Sequence, residues 1–290
     1  MSDDTVPVRG AAEPASRLAG VGGLRLHYLE WGRQDSPPIV LLHGGGQSAH
    51  TWQRVAGRLA SRYRLIAPDA RGHGDSEWAL NGAYDLAAFR EDLHGLAAQL
   101  GLRQFVLVGM SMGGMTALGY AGVYGASLRG LVVVDIAPEI QPEGRDRIIA
   151  FMKGRESFVS LDEAVAYAHT FNPRRSPDAL RRTLPRNLQT LPDGRLRWKW
   201  DPAFLPEGDQ PESRFGLADL WDAAARVPCP ALVVHGSESD ILSRETGERL
   251  AGVLPLGRYV SVAGSGHSVQ GDNPHSLSEA IERFLGDIGY

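Results

Sequence analysis

The stretch Gln104-Phe105-Val106-Leu107-Val108-Gly109-Met110-Ser111-Met112-Gly113-Gly114-Met115-Thr116-Ala117-Leu118 decides how this chain reads. Its opening is an apolar run of β-formers, as a buried parallel strand requires. Its second half, continuing to about residue 124, has small residues first and then apolar residues at helical spacing. A sharp turn joins them, with a serine at its apex. Glycines two residues either side of Ser111 let the chain bend there without Cβ clashes, so the serine can hold a strained conformation with its hydroxyl exposed above the sheet. Strand, serine turn and helix make a nucleophile elbow, and covalent hydrolysis is the first expectation. In a chain of 290 residues with 35 glycines the bare G-x-S-x-G pattern is weak, so the reading depends on its companions.

The surrounding sequence supplies the scaffold. Apolar strand-like runs alternate with amphipathic helical stretches, which implies a mostly parallel sheet flanked by helices. Strands are expected near 17–21, 24–31, 39–42, 63–67, 131–135, 231–236 and 258–262, with helices near 51–61, 85–100, 112–124, 244–253 and 274–285. Gly22-Gly23 suggests a tight turn between the first two strands. From about 139 to 225 no apolar strand run occurs, and the stretch holds arginines, prolines, scattered aromatics and short helical pieces near 161–168 and 177–188. It reads as a lid over the sheet.

Composition removes other classes. Hydrophobic content of 43 % and charged content of 22 % suit an ordinary globular protein. A net charge of −4, without a basic stripe interleaved with aromatics, offers nothing to nucleic acid. No apolar run is long enough to span a bilayer. Residues 1–16 are polar, lack an apolar h-region and read as a disordered lead-in, so a cytoplasmic protein is expected. The single cysteine, Cys229, lies between two prolines at a strand start and reads as a buried, inert thiol.

A serine nucleophile needs a base, an orienting carboxylate and donors for the oxyanion. The base is expected at His267, in the Gly264-Ser265-Gly266-His267-Ser268 loop after the last strand. The favoured acid is Asp240, in the loop after the strand ending at His235-Gly236; Asp135, ending the strand after the elbow, and Glu238 are its rivals. For the oxyanion, Met112 N–H at the start of the helix supplies one donor, and the His43-Gly44-Gly45-Gly46 loop supplies the other, with Gly45 chosen. His43 reads as a structural residue holding that loop. Asp69, Arg71, His73 and Asp75 resemble a metal site, but the interleaved arginine and glycines favour a self-hydrogen-bonded turn, so no metal is expected.

These motifs together resemble the α/β-hydrolase superfamily: His43-Gly44-Gly45-Gly46, Asp69-Ala70-Arg71-Gly72-His73-Gly74-Asp75-Ser76, the Gly109 to Gly114 elbow, Asp240 and Gly266-His267. The resemblance covers nearly the whole chain from residue 17. It implies an α/β fold with a mostly parallel eight-stranded sheet flanked by helices and an inserted helical cap. The core would be 17–138 with 226–290, and the cap 139–225. The superfamily holds many activities, so the resemblance alone names no substrate. A serine at the elbow argues against its dehalogenase and epoxide-hydrolase branches.

The expected activity is hydrolysis of small or medium apolar carboxylic esters through an acyl-enzyme, without a cofactor. Substrate contacts are expected from Gly44, Gly46, Met110, Trp198 and Trp200, with Phe151, Phe158, Phe171 and Phe204 as further lid aromatics. The lid arginines 174, 175, 181, 182, 186, 195 and 197 read mainly as solvated helix faces. Two alternatives stand beside the esterase. One is a carbon–carbon bond hydrolase or enol-lactonase, with Arg174 or Arg175 binding a carboxylate. The other is a slow-turnover ligand receptor on the same fold. The expected partner is a small-molecule ester, with no nucleic acid or membrane involved; a homo-oligomer is allowed.

Overall fold

The computed structural model describes residues 13–205 and 216–290. Eleven strands occur among the described residues. They are β1 (Ala15–Val21), β2 (Leu24–Trp31), β3 (Pro38–Leu42), β4 (Arg64–Pro68), β5 (Phe105–Met110), β6 (Leu128–Val134), β7 (Ser157–Phe158), β8 (Leu188–Thr190), β9 (Leu196–Trp198), β10 (Ala231–Gly236) and β11 (Gly257–Val262). The helices flanking the sheet are α1 (Gln53–Leu59), α2 (Leu86–Gln99) and α3 (Met112–Tyr124). Those of the lid region are α4 (Pro142–Gly154), α5 (Leu161–Phe171) and α6 (Pro177–Thr183), and the chain ends with α7 (Leu217–Ala225), α8 (Arg244–Val253), α9 (Val269–Asp272) and α10 (Pro274–Asp287).

Eight strands form one sheet in the order β1-β2-β4-β3-β5-β6-β10-β11. The pairs β1–β2 and β2–β4 are antiparallel and every other pair is parallel, which is the mostly parallel eight-stranded sheet expected. Alternation along β5 shows why the strand is apolar throughout. Phe105 and Leu107 join the cluster under α2 and α3, whereas Val106 and Val108 join the one under α1 and α10. A strand covered on both faces has no polar side to show.

Three features differ from the sequence reading. Most of the expected lead-in, residues 1–12, lies outside the described residues, but Ala15 and Ser16 already belong to β1, where Ser16 Oγ meets His27 Nε2 at 2.9 Å. The lid region is not wholly helical: β7, β9 and β8 form a small antiparallel sheet of two- and three-residue strands, too short to leave a periodic signature. Finally, α7 falls within the expected cap yet packs on α3. A Cβ at Gly122 of α3 would lie 2.8 Å from Ala223 Cβ, so that glycine sets the close approach of the two helices.

The sheet geometry positions the chemistry. Met110 pairs with Val134, so Ser111 and Asp135 emerge side by side at the carboxyl ends of neighbouring strands. Then β10 continues the same edge, and β11 delivers the loop that carries His267.

Candidate active site

Ser111 has φ 52° and ψ −120°, a left-handed conformation that costs energy for a residue bearing a Cβ. Its glycine neighbours are compulsory for steric reasons. A Cβ at Gly109 would lie 2.2 Å from Gly113 O, and one at Gly113 would lie 2.5 Å from Leu42 O. The elbow therefore closes against its own helix and against the end of β3. Ser111 is the N-cap residue of α3 but makes no capping hydrogen bond with its side chain. Its hydroxyl instead meets His267 Nε2 at 3.0 Å.

On the other side of the ring, His267 Nδ1 is 2.9 Å from Asp135 Oδ2. Asp135 is fully buried. Gly236 N–H donates to its Oδ1 at 2.7 Å, and the Ser239 hydroxyl donates to its Oδ2 at 2.5 Å. Like Ser111, it sits at positive φ, 52°. Serine, imidazole and carboxylate thus form one continuous hydrogen-bonded row across β5, β6 and the loop after β11.

This geometry corrects the expectation for the acid. Asp240 instead pairs with Arg147 of α4, Nη2 to Oδ2 2.6 Å, with both side chains 40–45 % exposed. Glu238 pairs with Arg174. The physical reason is topological: β6 lies between β5 and β10, so the residue ending β6 is adjacent to the elbow, whereas the loop after β10 runs out to the lid. Ser239, which the sequence reading passed over, is the part of that loop that turns back to the buried carboxylate. Its hydroxyl oxygen also accepts from Ile241 N–H and Leu242 N–H, so it is held in place.

The Gly44-Gly45-Gly46 loop lies against the elbow. A Cβ at Gly44 would be 2.7 Å from Met110 Sδ and 3.2 Å from Ser111 Cβ, which explains why only glycine fits there. Gly44 N–H donates to Gln47 Oε1 at 3.3 Å, and Gln270 Nε2 donates to the same oxygen at 3.2 Å, so two glutamines brace the loop. His43 has the structural place expected of it. Ala70 N–H donates to its Nε2 at 2.9 Å, which leaves Nδ1–H to donate to Gly44 O at 2.8 Å. Burial holds its pKa below the usual histidine range. Met112 N–H opens α3, where helix geometry leaves the first amides without intrahelical acceptors.

A cavity of about 220 Å³ opens over Ser111 and His267. Gly44, Gly45, Gly46, Met110, Met112, Trp198 and Trp200, all expected there, line it, as do Phe151, Phe171 and Phe204. Phe158 does not: it is buried in the lid, edge-on to Trp198 at 5.2 Å between ring centroids. None of the seven lid arginines singled out from the sequence lines this cavity; Arg145 of α4 does.

The Asp69 to Ser76 loop fastens core to lid. Asp69 Oδ1 accepts from Ala49 N–H at 2.6 Å, and its Oδ2 meets His27 Nδ1 at 2.7 Å and accepts from Asp75 N–H at 2.9 Å. Asp75 pairs with Lys199 at 2.6 Å, and Arg71 forks onto Asp92 with two contacts of 2.6 Å. His27, Asp69 and Asp75 each bring one ligand-type atom within 4.8 Å of the others, and both Asp69 oxygens take part in the internal bonds of the turn. Asp201 N–H donates to Gly72 O at 2.8 Å and Tyr84 donates to the Asp201 carboxylate, which ties the strand leaving the lid to the same loop.

Residues 39–280 match the family model described as the alpha/beta hydrolase family. The chain belongs to this family. It is 31 % identical over 284 residues to esterase Rv0045c of Mycobacterium tuberculosis, covering 95 % of this chain and 91 % of that protein. It is also 31 % identical to the 3-hydroxybutyrate-oligomer hydrolase of Cupriavidus necator, covering 93 % and 96 %. Among solved structures, that of E-2-(acetamidomethylene)succinate hydrolase superposes with a TM-score of 0.84 at 28 % identity, covering 94 % of this chain and 99 % of that one. No described helix is long and apolar enough to cross a membrane.

Proposed function

We propose that this alpha/beta hydrolase is a serine esterase that cleaves small or medium carboxylic esters through an acyl-enzyme on Ser111. The observation that carries the reading is the row Ser111 Oγ, His267 Nε2, His267 Nδ1, Asp135 Oδ2, with spacings of 3.0 and 2.9 Å. In the proposed cycle His267 takes the Ser111 proton as Oγ attacks the ester carbonyl. Asp135 holds the imidazole in the tautomer with hydrogen on Nδ1 and stabilises the imidazolium. The amides of Met112 and Gly45 receive the oxyanion, where loss of one donor costs about 3–4 kcal/mol. The imidazolium then protonates the leaving alkoxide. Water, activated by His267, attacks the acyl carbon and frees the acid and Ser111. The relatives named esterase and oligomer hydrolase support this chemistry.

Cavity size sets the substrate scale. A cavity of about 220 Å³ with mostly apolar walls over Ser111 and His267 suits a small or medium ester. The carbon–carbon hydrolase alternative loses its proposed anchors: Arg174 is engaged with Glu238, and Arg175 Nη2 donates to Thr183 Oγ1 at 3.0 Å. The direct test is hydrolysis of p-nitrophenyl butyrate by the wild type and by Ser111→Ala. Activity that survives the substitution in a folded protein refutes the proposal.

A further inference from the structure

We infer that Gln47, with Ser268 beside it, is the hydrogen-bond donor for the alcohol half of the substrate, and that the preferred ester carries an oxygen in its alcohol and an apolar acyl group. This rests on the esterase reading and deepens it. Most of the cavity wall is apolar, made of methionines, isoleucines and lid aromatics. Gln47 and Ser268 interrupt that surface next to the catalytic centre. Ser268 follows His267 directly and precedes α9, yet its hydroxyl makes no capping hydrogen bond and meets no other group among the described residues. Gln47 is tied to the same short helix, because Gln270 Nε2 of α9 donates to Gln47 Oε1 at 3.2 Å.

The orientation of the Gln47 carboxamide is fixed from the protein side. Gly44 N–H donates to its Oε1 at 3.3 Å, and a backbone donor admits only the oxygen there. Gln270, 1 % exposed and also donating to Thr51 Oγ1 at 3.1 Å, supplies the second donor. The hydrogens on Gln47 Nε2 are therefore turned away from these partners, and Nε2 meets no acceptor among the described residues. The amide is close to the chemistry: the place a Gly44 Cβ would take lies 3.2 Å from Ser111 Cβ and 3.5 Å from Gln47 Cδ. His267 delivers its proton to the leaving oxygen, so groups tied to the His267 loop face the alcohol half. A substrate that strips water from a donor must return an acceptor, or the lost hydrogen bond weakens its binding. An alcohol with an ether, hydroxyl or carbonyl oxygen returns one, and a plain alkyl alcohol does not. The apolar remainder of the wall is left to the acyl chain.

The test compares esters matched in length and differing by one oxygen. 2-Methoxyethyl butyrate against butyl butyrate places the ether oxygen on the alcohol side. Butyl 3-methoxypropanoate against butyl pentanoate places it on the acyl side. Released acid is followed by pH-stat titration for wild type, Gln47→Glu, Gln47→Met and Ser268→Ala, with melting curves as the folding control. The readout is the ratio of kcat/KM within each pair, which cancels any damage to the catalytic centre common to both esters. Glutamate keeps the oxygen that holds Gly44 and Gln270 but loses the donor, and methionine carries neither charge nor amide. The wild type is expected to favour the alcohol-side ether. Both Gln47 variants should lower that ratio about 3- to 10-fold, mainly through KM, and Ser268→Ala should lower it by less. The acyl-side ratio should stay within about twofold throughout. A wild type that disfavours the 2-methoxyethyl ester, an alcohol-side ratio that either Gln47 variant leaves unchanged, or an equal fall in the acyl-side ratio would overturn the inference. If no ester of either pair is cleaved, the esterase reading itself fails. The inference is then read from calorimetric binding of 2-methoxyethyl butyrate to Ser111→Ala with and without Gln47→Glu: equal affinity overturns it, and a loss of about threefold or more upholds it.

Discussion

Replacing Asp135 by asparagine should abolish turnover while leaving the fold and the substrate site intact. The structure allows the consequence to be followed atom by atom. Gly236 N–H donates to Oδ1 at 2.7 Å and is a fixed backbone donor, so the asparagine carbonyl oxygen must take that place. The amide nitrogen then occupies the Oδ2 position, 2.9 Å from His267 Nδ1, and donates to it. An imidazole that accepts at Nδ1 carries its hydrogen on Nε2, pointing at Ser111 Oγ, and can no longer take the serine proton. Beyond the tautomer, the imidazolium loses its counter-charge. That interaction is about 4 kcal/mol at 4 Å with an effective dielectric constant near 20, or roughly a thousandfold in rate. The tautomer fault brings the expected loss in kcat to about 10³–10⁴, with KM changed only a few-fold. Asparagine is among the residues that tolerate the positive φ of this position, so backbone strain does not confuse the result. Asp240→Asn is the partner experiment. It removes a half-exposed ion pair of the kind worth about 0–1 kcal/mol, and kcat should stay within about threefold. Initial rates on p-nitrophenyl butyrate, with circular dichroism to verify folding, decide the matter. A thousandfold loss in Asp240→Asn with Asp135→Asn near wild type would refute the reasoning.

Three further outcomes follow from the same geometry. Gly113→Ala would place a Cβ 2.5 Å from the Leu42 carbonyl oxygen; neither backbone can yield, and the variant should melt several degrees lower and lose its esterase rate, as scanning calorimetry and kinetics will show. The Cys229 thiol is pushed up to about 11 by burial, so at pH 8 only about one molecule in a thousand holds a thiolate; Ellman's reagent should react slowly with native protein and stoichiometrically in guanidinium. His73 is held at about 3, first by burial and then by neighbouring His43, against an ordinary 6.5. Between those values the unfolded chain binds the extra proton, so stability is full above pH 6.5 and falls as the pH drops toward 3, by on the order of 4 kcal/mol. Urea midpoints measured across that range should drop less steeply for His73→Gln than for the wild type.

Much of this arrangement was legible in the sequence because it depends on local rules. The elbow shows itself through glycines that sterics demand at 109 and 113, and His267 through its place in a glycine loop after the last strand. The acid was not legible, because the choice between Asp135 and Asp240 is a choice between two parallel strand ends, and strand order is not written locally. One signal pointed the right way. Asp135 sits inside the apolar run Val132-Val133-Val134-Asp135-Ile136-Ala137, where an unpaired carboxylate would be costly, whereas Asp240 belongs to the polar string Ser237-Glu238-Ser239-Asp240. The small sheet of the lid escaped notice because strands of two or three residues carry no period. That Arg145 lines the cavity was hidden for a related reason: only the rotation of α4 against the core tells which of its side chains line it.

The most direct test of the account is intact-protein and peptide mass spectrometry after exposure to a fluorophosphonate. The account predicts a single adduct, located on Ser111, that forms rapidly in the wild type and at least a hundredfold more slowly in His267→Ala. Labelling at another residue, or a Ser111 adduct whose rate is indifferent to His267, would contradict it.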